Sequence, residues 1–120
     1  MSGAGGGFGA KVVSDVQRKM LRIGLRKSGL GSPTIAGSGA SFCTITDNGV
    51  GDYTINFTKA PFTQIPEVMA TPSTPGTAVS IVSATKLAVN IAVTDLAGVA
   101  AEGDFHFTAI GSLATDLVGA

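Results

Sequence analysis

Few residues in this 120-residue chain have types and spacing that could do chemistry: it holds one His and one Cys. His106 stands between Phe105 and Phe107, where a lone imidazole fits an outward strand position or a polar contact between subunits better than a ligand or base. Cys43 shares its alternation with Ile45, and no His or acid lies near it in sequence to activate a nucleophile, so it is expected to act as a small buried hydrophobe. Asp47 and Asp52 flank a turn and could hold a cation, although acids so placed more often satisfy turn N–H groups. The run Gly5-Gly6-Gly7-Phe8-Gly9-Ala10 fits GxGxxA superficially, but no strand precedes it and no acid stands about 20 positions on, so it fails as a dinucleotide loop. Asn56-Phe57-Thr58 is a glycosylation sequon in mid-strand and is expected to be idle. A single Cys excludes an internal disulfide, and a single His argues against an ordinary zinc site. The expectation is a protein that is not an enzyme, with no catalytic residue, metal or cofactor.

The cations are the exception, because they are gathered at one end. Residues 1–27 hold Lys11, Arg18, Lys19, Arg22, Arg26 and Lys27 against Asp15 alone, a net +5. Residues 28–120 hold Lys59 and Lys86 against seven acids, a net −5, so the formal neutrality of the whole conceals a basic arm on an acidic body. Such an arm suits an acidic partner. Nucleic acid is disfavoured, since only Phe8 interleaves an aromatic and no groove-reading motif is present. A membrane surface would need a sustained apolar face, which Gly24 and Ser28 interrupt. No apolar run approaches the roughly 18 residues of a membrane span, and the glycine-rich start lacks the basic and apolar regions of a leader, so neither is expected. The acidic surface of a neighbouring protein remains, with the six cations as contacts and Phe8 as an apolar anchor.

What positions these residues is a β-domain. Charged residues are 13% of the chain, well under the usual level of about 25%. With 44% hydrophobic residues and a mean hydropathy of +0.40, the chain is expected to fold as one domain and to associate. Ser2 to Gly9 is too rich in glycine to fold alone. Lys11 to Lys27 is open to two readings: Val13, Val16, Met20 and Ile23 fall at helical spacing, whereas Leu21, Ile23 and Leu25 alternate as in a strand. The second half leans to the strand, because Gly24 weakens a helix interior. Ser28 to Ser41, rich in Gly and Ser, suggests a linker.

From Phe42 onward the period is two. Asn48-Gly49 predicts a tight hairpin turn, followed by a strand with Tyr53, Ile55 and Phe57 inward and Thr54, Asn56 and Thr58 outward. Further strands are expected at Glu67 to Thr71, Ala78 to Ser83, Lys86 to Thr94 with Leu87, Val89, Ile91 and Val93 on one face, and Asp104 to Gly111 with Phe105, Phe107 and Ala109 together. This predicts an all-β fold, a compact antiparallel β-sandwich or barrel with an extended Gly-rich, basic N-terminal arm. The expected organisation is arm and linker over 1–40, β-domain over 41–112 and a tail over 113–120.

The hairpin Ile45-Thr46-Asp47-Asn48-Gly49-Val50-Gly51-Asp52-Tyr53-Thr54-Ile55-Asn56-Phe57-Thr58, with the closing Asp104-Phe105-His106-Phe107, resembles small virion structural proteins of tailed bacteriophages, of decoration, head-fibre or tail-fibre type. The likeness spans roughly residues 38–111 and centres on the pattern TDNGxGDYTxNFT. It implies an antiparallel β-domain that assembles as a homotrimer on the phage particle, made in the host cytoplasm and placed at the capsid surface. The partner would be the major capsid protein or, alternatively, a tail or portal-complex protein. Decoration or cementing of the shell is the leading expectation. A tail or head fibre adaptor is the alternative, and a glycan-binding adhesin ranks lower because the chain has no Trp and one Tyr.

Overall fold

Alternation of apolar and polar side chains begins well before residue 42, and it builds eight strands. The computed structural model describes residues 20–29 and 32–114. The strands are β1 (Met20–Ser28), β2 (Thr34–Ala36), β3 (Cys43–Gly49), β4 (Asp52–Phe57), β5 (Glu67–Pro72), β6 (Thr77–Ala84), β7 (Ala88–Asp95) and β8 (Phe105–Ser112). They form two four-stranded antiparallel sheets: sheet A in the order β2-β1-β8-β5, and sheet B in the order β3-β4-β7-β6. The architecture is a β-sandwich.

Each sheet turns one set of alternate residues inward. Sheet A contributes Ile23, Leu25, Phe105, Phe107 and Ala109, while sheet B contributes Cys43, Tyr53, Ile55, Phe57, Val89, Ile91 and Val93, all buried. Phe57 joins the layers at one end: its ring meets Phe62 edge-on at 5.1 Å and Phe107 at 6.3 Å between centroids. Tyr53 does so at the other end, 5.9 Å from Phe105. Burying such side chains contributes roughly 1.5 to 3 kcal/mol each, which is the main force closing the sandwich. The inward set expected for β4 and β8 is therefore correct, as are the outward Thr54, Asn56 and His106. On β7, however, Leu87 lies before the strand and is 53% exposed, so the inward row begins at Val89.

Three expectations about organisation change. The boundary expected at residue 41 falls inside the domain, because β1 is an internal strand of sheet A, paired with β8 from Met20↔Ser112 to Lys27↔Phe105. Strand, not helix, is thus the form of residues 20–28; residues 1–19, including Phe8, Lys11, Arg18 and Lys19, lie outside the described residues. The expected linker contains β2 and a single 3₁₀ turn, Ala40–Phe42. This segment lies directly across β1: the N–H of Gly39 donates to the carbonyl of Gly24 at 3.0 Å, and a Cβ at position 39 would strike the side chain of Ile23. Its glycines permit that close approach. At the other terminus, Leu113 bridges to Phe62 and the N–H of Ala114 donates to the carbonyl of Pro61, so the first residues of the expected tail stay on the domain.

The hairpin itself is present, but its turn is displaced. Gly49 pairs with Asp52, leaving Val50-Gly51 as the two-residue connection, and the register shifts between Asp47 and Gly49. Asn48-Gly49 supplies the bulge and Gly51, at φ +68°, supplies the turn. Turns with positive φ only at the second central residue fit the strand twist poorly, and a bulge restores the twist locally. Gly51 also accepts a hydrogen bond from the N–H of Val93, so the turn is pinned to β7 where a side chain would collide with the Val93 carbonyl oxygen.

Candidate functional site

The alternation of β1 sorts its cations. Arg22 and Arg26 share the outer face with Gly24 and are exposed, while Leu21, Ile23, Leu25 and Lys27 take the opposite parity. Antiparallel pairing then sets Arg26 beside His106 and Gly24 beside Thr108. The loop that crosses β1 forms the other wall, with Gly37 and Ser38. Together these residues line a groove of about 350 Å³ on the outer face of sheet A. A Cβ at Gly24 would meet nothing within 4 Å, so the floor between the two arginines is open. From the strand rise, the two arginine positions are about 13 Å apart along β1.

None of the residues lining this groove is acidic. Among the described residues neither guanidinium has an ion-pair partner, and the single ion pair there belongs to Lys27. Guanidinium groups present planar, fixed sets of donors that match carboxylate and phosphate oxygens in pairs. His106 adds a third nitrogen donor or acceptor beside Arg26. The arrangement can therefore hold anionic groups, two at once if they are spaced along a chain or a protein surface.

Lys27 departs from its expected role as a partner contact. Its side chain is fully buried between the sheets, where Nζ donates to the carbonyl of Gly103 at 2.8 Å, to Tyr53 Oη at 3.2 Å and to Asp104 Oδ1 at 3.3 Å. The ammonium also lies 4.3 Å from the centroid of the Tyr53 ring. A buried charge without partners would cost several kcal/mol, and these four contacts are what allow it inside. Tyr53 Oη in turn donates to Glu102 Oε2 at 3.2 Å. Burial first, then the Glu102 carboxylate, raises the Tyr53 phenol well above its ordinary pKa. The parity of β1 announced this burial, since Lys27 continues the row of Leu21, Ile23 and Leu25. Glu102 and Asp104 carried no sequence signal, because only the return of β8 beside β1 brings them to Lys27.

The remaining singled-out residues have structural duties. Asp47 Oδ1 accepts the N–H of Gly49 at 3.0 Å, an Asx turn that holds the bulge. Asn48 Nδ2 donates to Thr54 Oγ1 at 2.8 Å and Asn56 Nδ2 to Thr46 Oγ1 at 3.0 Å, so the TDNGxGDYTxNFT pattern records a hairpin with its outer polar ladder and inner aromatics. Burial pushes the Cys43 thiol up to about 11, which leaves little thiolate at neutral pH. Among the described residues no group of three or more His, Cys, Asp or Glu side chains is placed to hold a metal ion, and no helix is long and apolar enough to cross a membrane. Set beside known proteins, the chain matches no protein family, no curated protein and no solved structure.

Proposed function

We propose that this chain is a bacteriophage virion structural protein, a capsid decoration or cement protein that binds the outer shell as a homotrimer and stabilises it. The observation that carries this reading is the acid-free groove holding Arg22, Arg26 and His106, a ready seat for carboxylates on the surface of a shell protein. The resemblance of the hairpin to small phage virion proteins supplies the particle. For the trimer, support comes from exposed apolar side chains at one end of the sandwich. Val50, Leu96 and Val99 are 60%, 79% and 61% exposed, on a turn and a loop that meet where Gly51 approaches Ala101. Contact between copies would cover them. Cementing is the role such binding would serve: a subunit that grips two neighbouring shell proteins must be broken before they separate, so each copy would raise the internal pressure the shell withstands.

The test is binding of the purified protein to particles that lack it. Saturable binding at a copy number on the scale of the shell lattice, weakened by salt and lost in an Arg22→Ser/Arg26→Ser variant, is the expected result. Binding of only a few copies, at the tail or portal, would replace this reading with the fibre adaptor. Saturable binding to sugars on a glycan array, with none to particles, would replace it with the adhesin.

A further inference from the structure

From the Lys27 cluster we infer a second property, independent of any partner: Lys27 Nζ and the Asp104 side chain condense into an intramolecular amide that ties β1 to the start of β8. The two groups are 77 positions apart in sequence, yet the nitrogen sits 3.3 Å from a carboxylate oxygen in a site walled by Tyr53 and Phe105. Holding an amine beside a carboxyl group in this way replaces a bimolecular encounter with an intramolecular one, for which effective concentrations of roughly 10⁵ M are reached when the groups are well oriented. Burial of Lys27 also favours the product, because a neutral amide removes the desolvated ammonium charge from between the sheets.

The surrounding residues provide the proton path. Lys27 donates to Tyr53 Oη, and Tyr53 donates onward to Glu102 Oε2, so an ammonium proton can pass through the phenol to the Glu102 carboxylate. The freed amine lone pair attacks Asp104 Cγ, and the carbonyl of Gly103, which accepts from Nζ at 2.8 Å, fixes the direction of approach. A C–N bond forms and a C–O bond breaks. The ammonium gives up two protons in all: the one relayed to Glu102 is released to water, and the partly exposed Asp104 oxygen takes up two in balance, one from the attacking nitrogen and one from water, and leaves as water; nothing is oxidised or reduced. The Asp104 side chain is 31% exposed, which gives that water an exit. Tyr53 touches the reacting nitrogen, whereas Glu102 acts through Tyr53 and is a positioning residue.

Intact-mass measurement of the full-length chain under denaturing conditions tests this. The expected mass is one water below that of the sequence, with a branched peptide after proteolysis that joins the segments carrying Lys27 and Asp104. Lys27→Arg should return to full mass, and Asp104→Asn should lose ammonia in place of water. Glu102→Gln should keep the β-sheet circular dichroism yet slow the loss of mass after synthesis by roughly 100-fold, with partial recovery in Glu102→Asp. A wild-type chain at full sequence mass overturns the inference. So does a mass loss that survives Lys27→Arg, which would mark a cyclised aspartyl side chain elsewhere.

Discussion

The two outer faces of the sandwich are built from the same pleat and differ in how their polar groups are spent. On sheet B the exposed side is a polar ladder whose groups satisfy one another: Asn48 donates to Thr54 and, at 3.5 Å, to the Asp52 carboxylate, Thr54 donates to Asn90 at 3.0 Å, and Asn56 donates to Thr46. On sheet A the corresponding side holds Arg22, Arg26 and His106, and among the described residues neither guanidinium has an ion-pair partner. A face whose donors and acceptors are mutually bound contributes to stability and has little left to offer a partner. A face whose guanidiniums have no ion-pair partner among the described residues gains little stability from them and leaves their donors to a partner. Position on β1 shows the same division at the scale of one residue, since Arg26 is exposed while its neighbour Lys27 is buried and fully bonded.

The sharpest way to break this comparison is to remove β1. Deleting residues 1–27 takes away an internal strand of sheet A and uncovers the inner face of sheet B, so an unfolded or aggregated product is expected by circular dichroism. Deleting residues 1–19 leaves the sandwich strands whole and should give a folded domain. Next in size, Phe57→Ala removes the ring that joins both sheets near Phe62 and Phe107 and should destabilise by about 3 to 5 kcal/mol in denaturant titration. Lys27→Ala leaves Asp104 and Tyr53 without their partner and removes the tie between β1 and β8, so a loss of at least about 3 kcal/mol is expected in denaturant titration.

Smaller effects separate the two faces directly. Thr54→Val keeps the shape of the sheet B ladder but deletes two of its hydrogen bonds, and a loss of about 1 kcal/mol in unfolding free energy is expected. Arg22→Ser/Arg26→Ser should shift stability by less than about 0.5 kcal/mol while abolishing particle binding. If the arginine pair proved as costly to stability as Thr54, the distinction between a self-satisfied face and a binding face would fail.

Much of the fold was legible because strand parity is a local property. Tyr53, Ile55 and Phe57 declare an inner face by alternation alone, and so do Phe105, Phe107 and Ala109. The position of the hairpin turn was not legible to the residue: Asn48-Gly49 and Val50-Gly51 both satisfy the local need for positive φ, and the choice between them is made by the hydrogen bond from Val93 to Gly51. The domain boundary is hidden in the sequence for a related reason. Ser28 to Ser41 has the composition of a linker, and its glycines serve instead to bring a loop against β1.

Composition, alternation and charge placement, by themselves, determined an all-β chain with six of its eight cations within residues 1–27. Local sequence can do this because side-chain period and polarity act within a few residues. Only the tertiary structure decided which of the described cations are buried and which are exposed. Pairing β1 with β8 set Arg26 beside His106 on the surface and carried Lys27 to Asp104 between the sheets. Both outcomes depend on register between strands nearly eighty residues apart, and register is fixed by burial of the whole inner face.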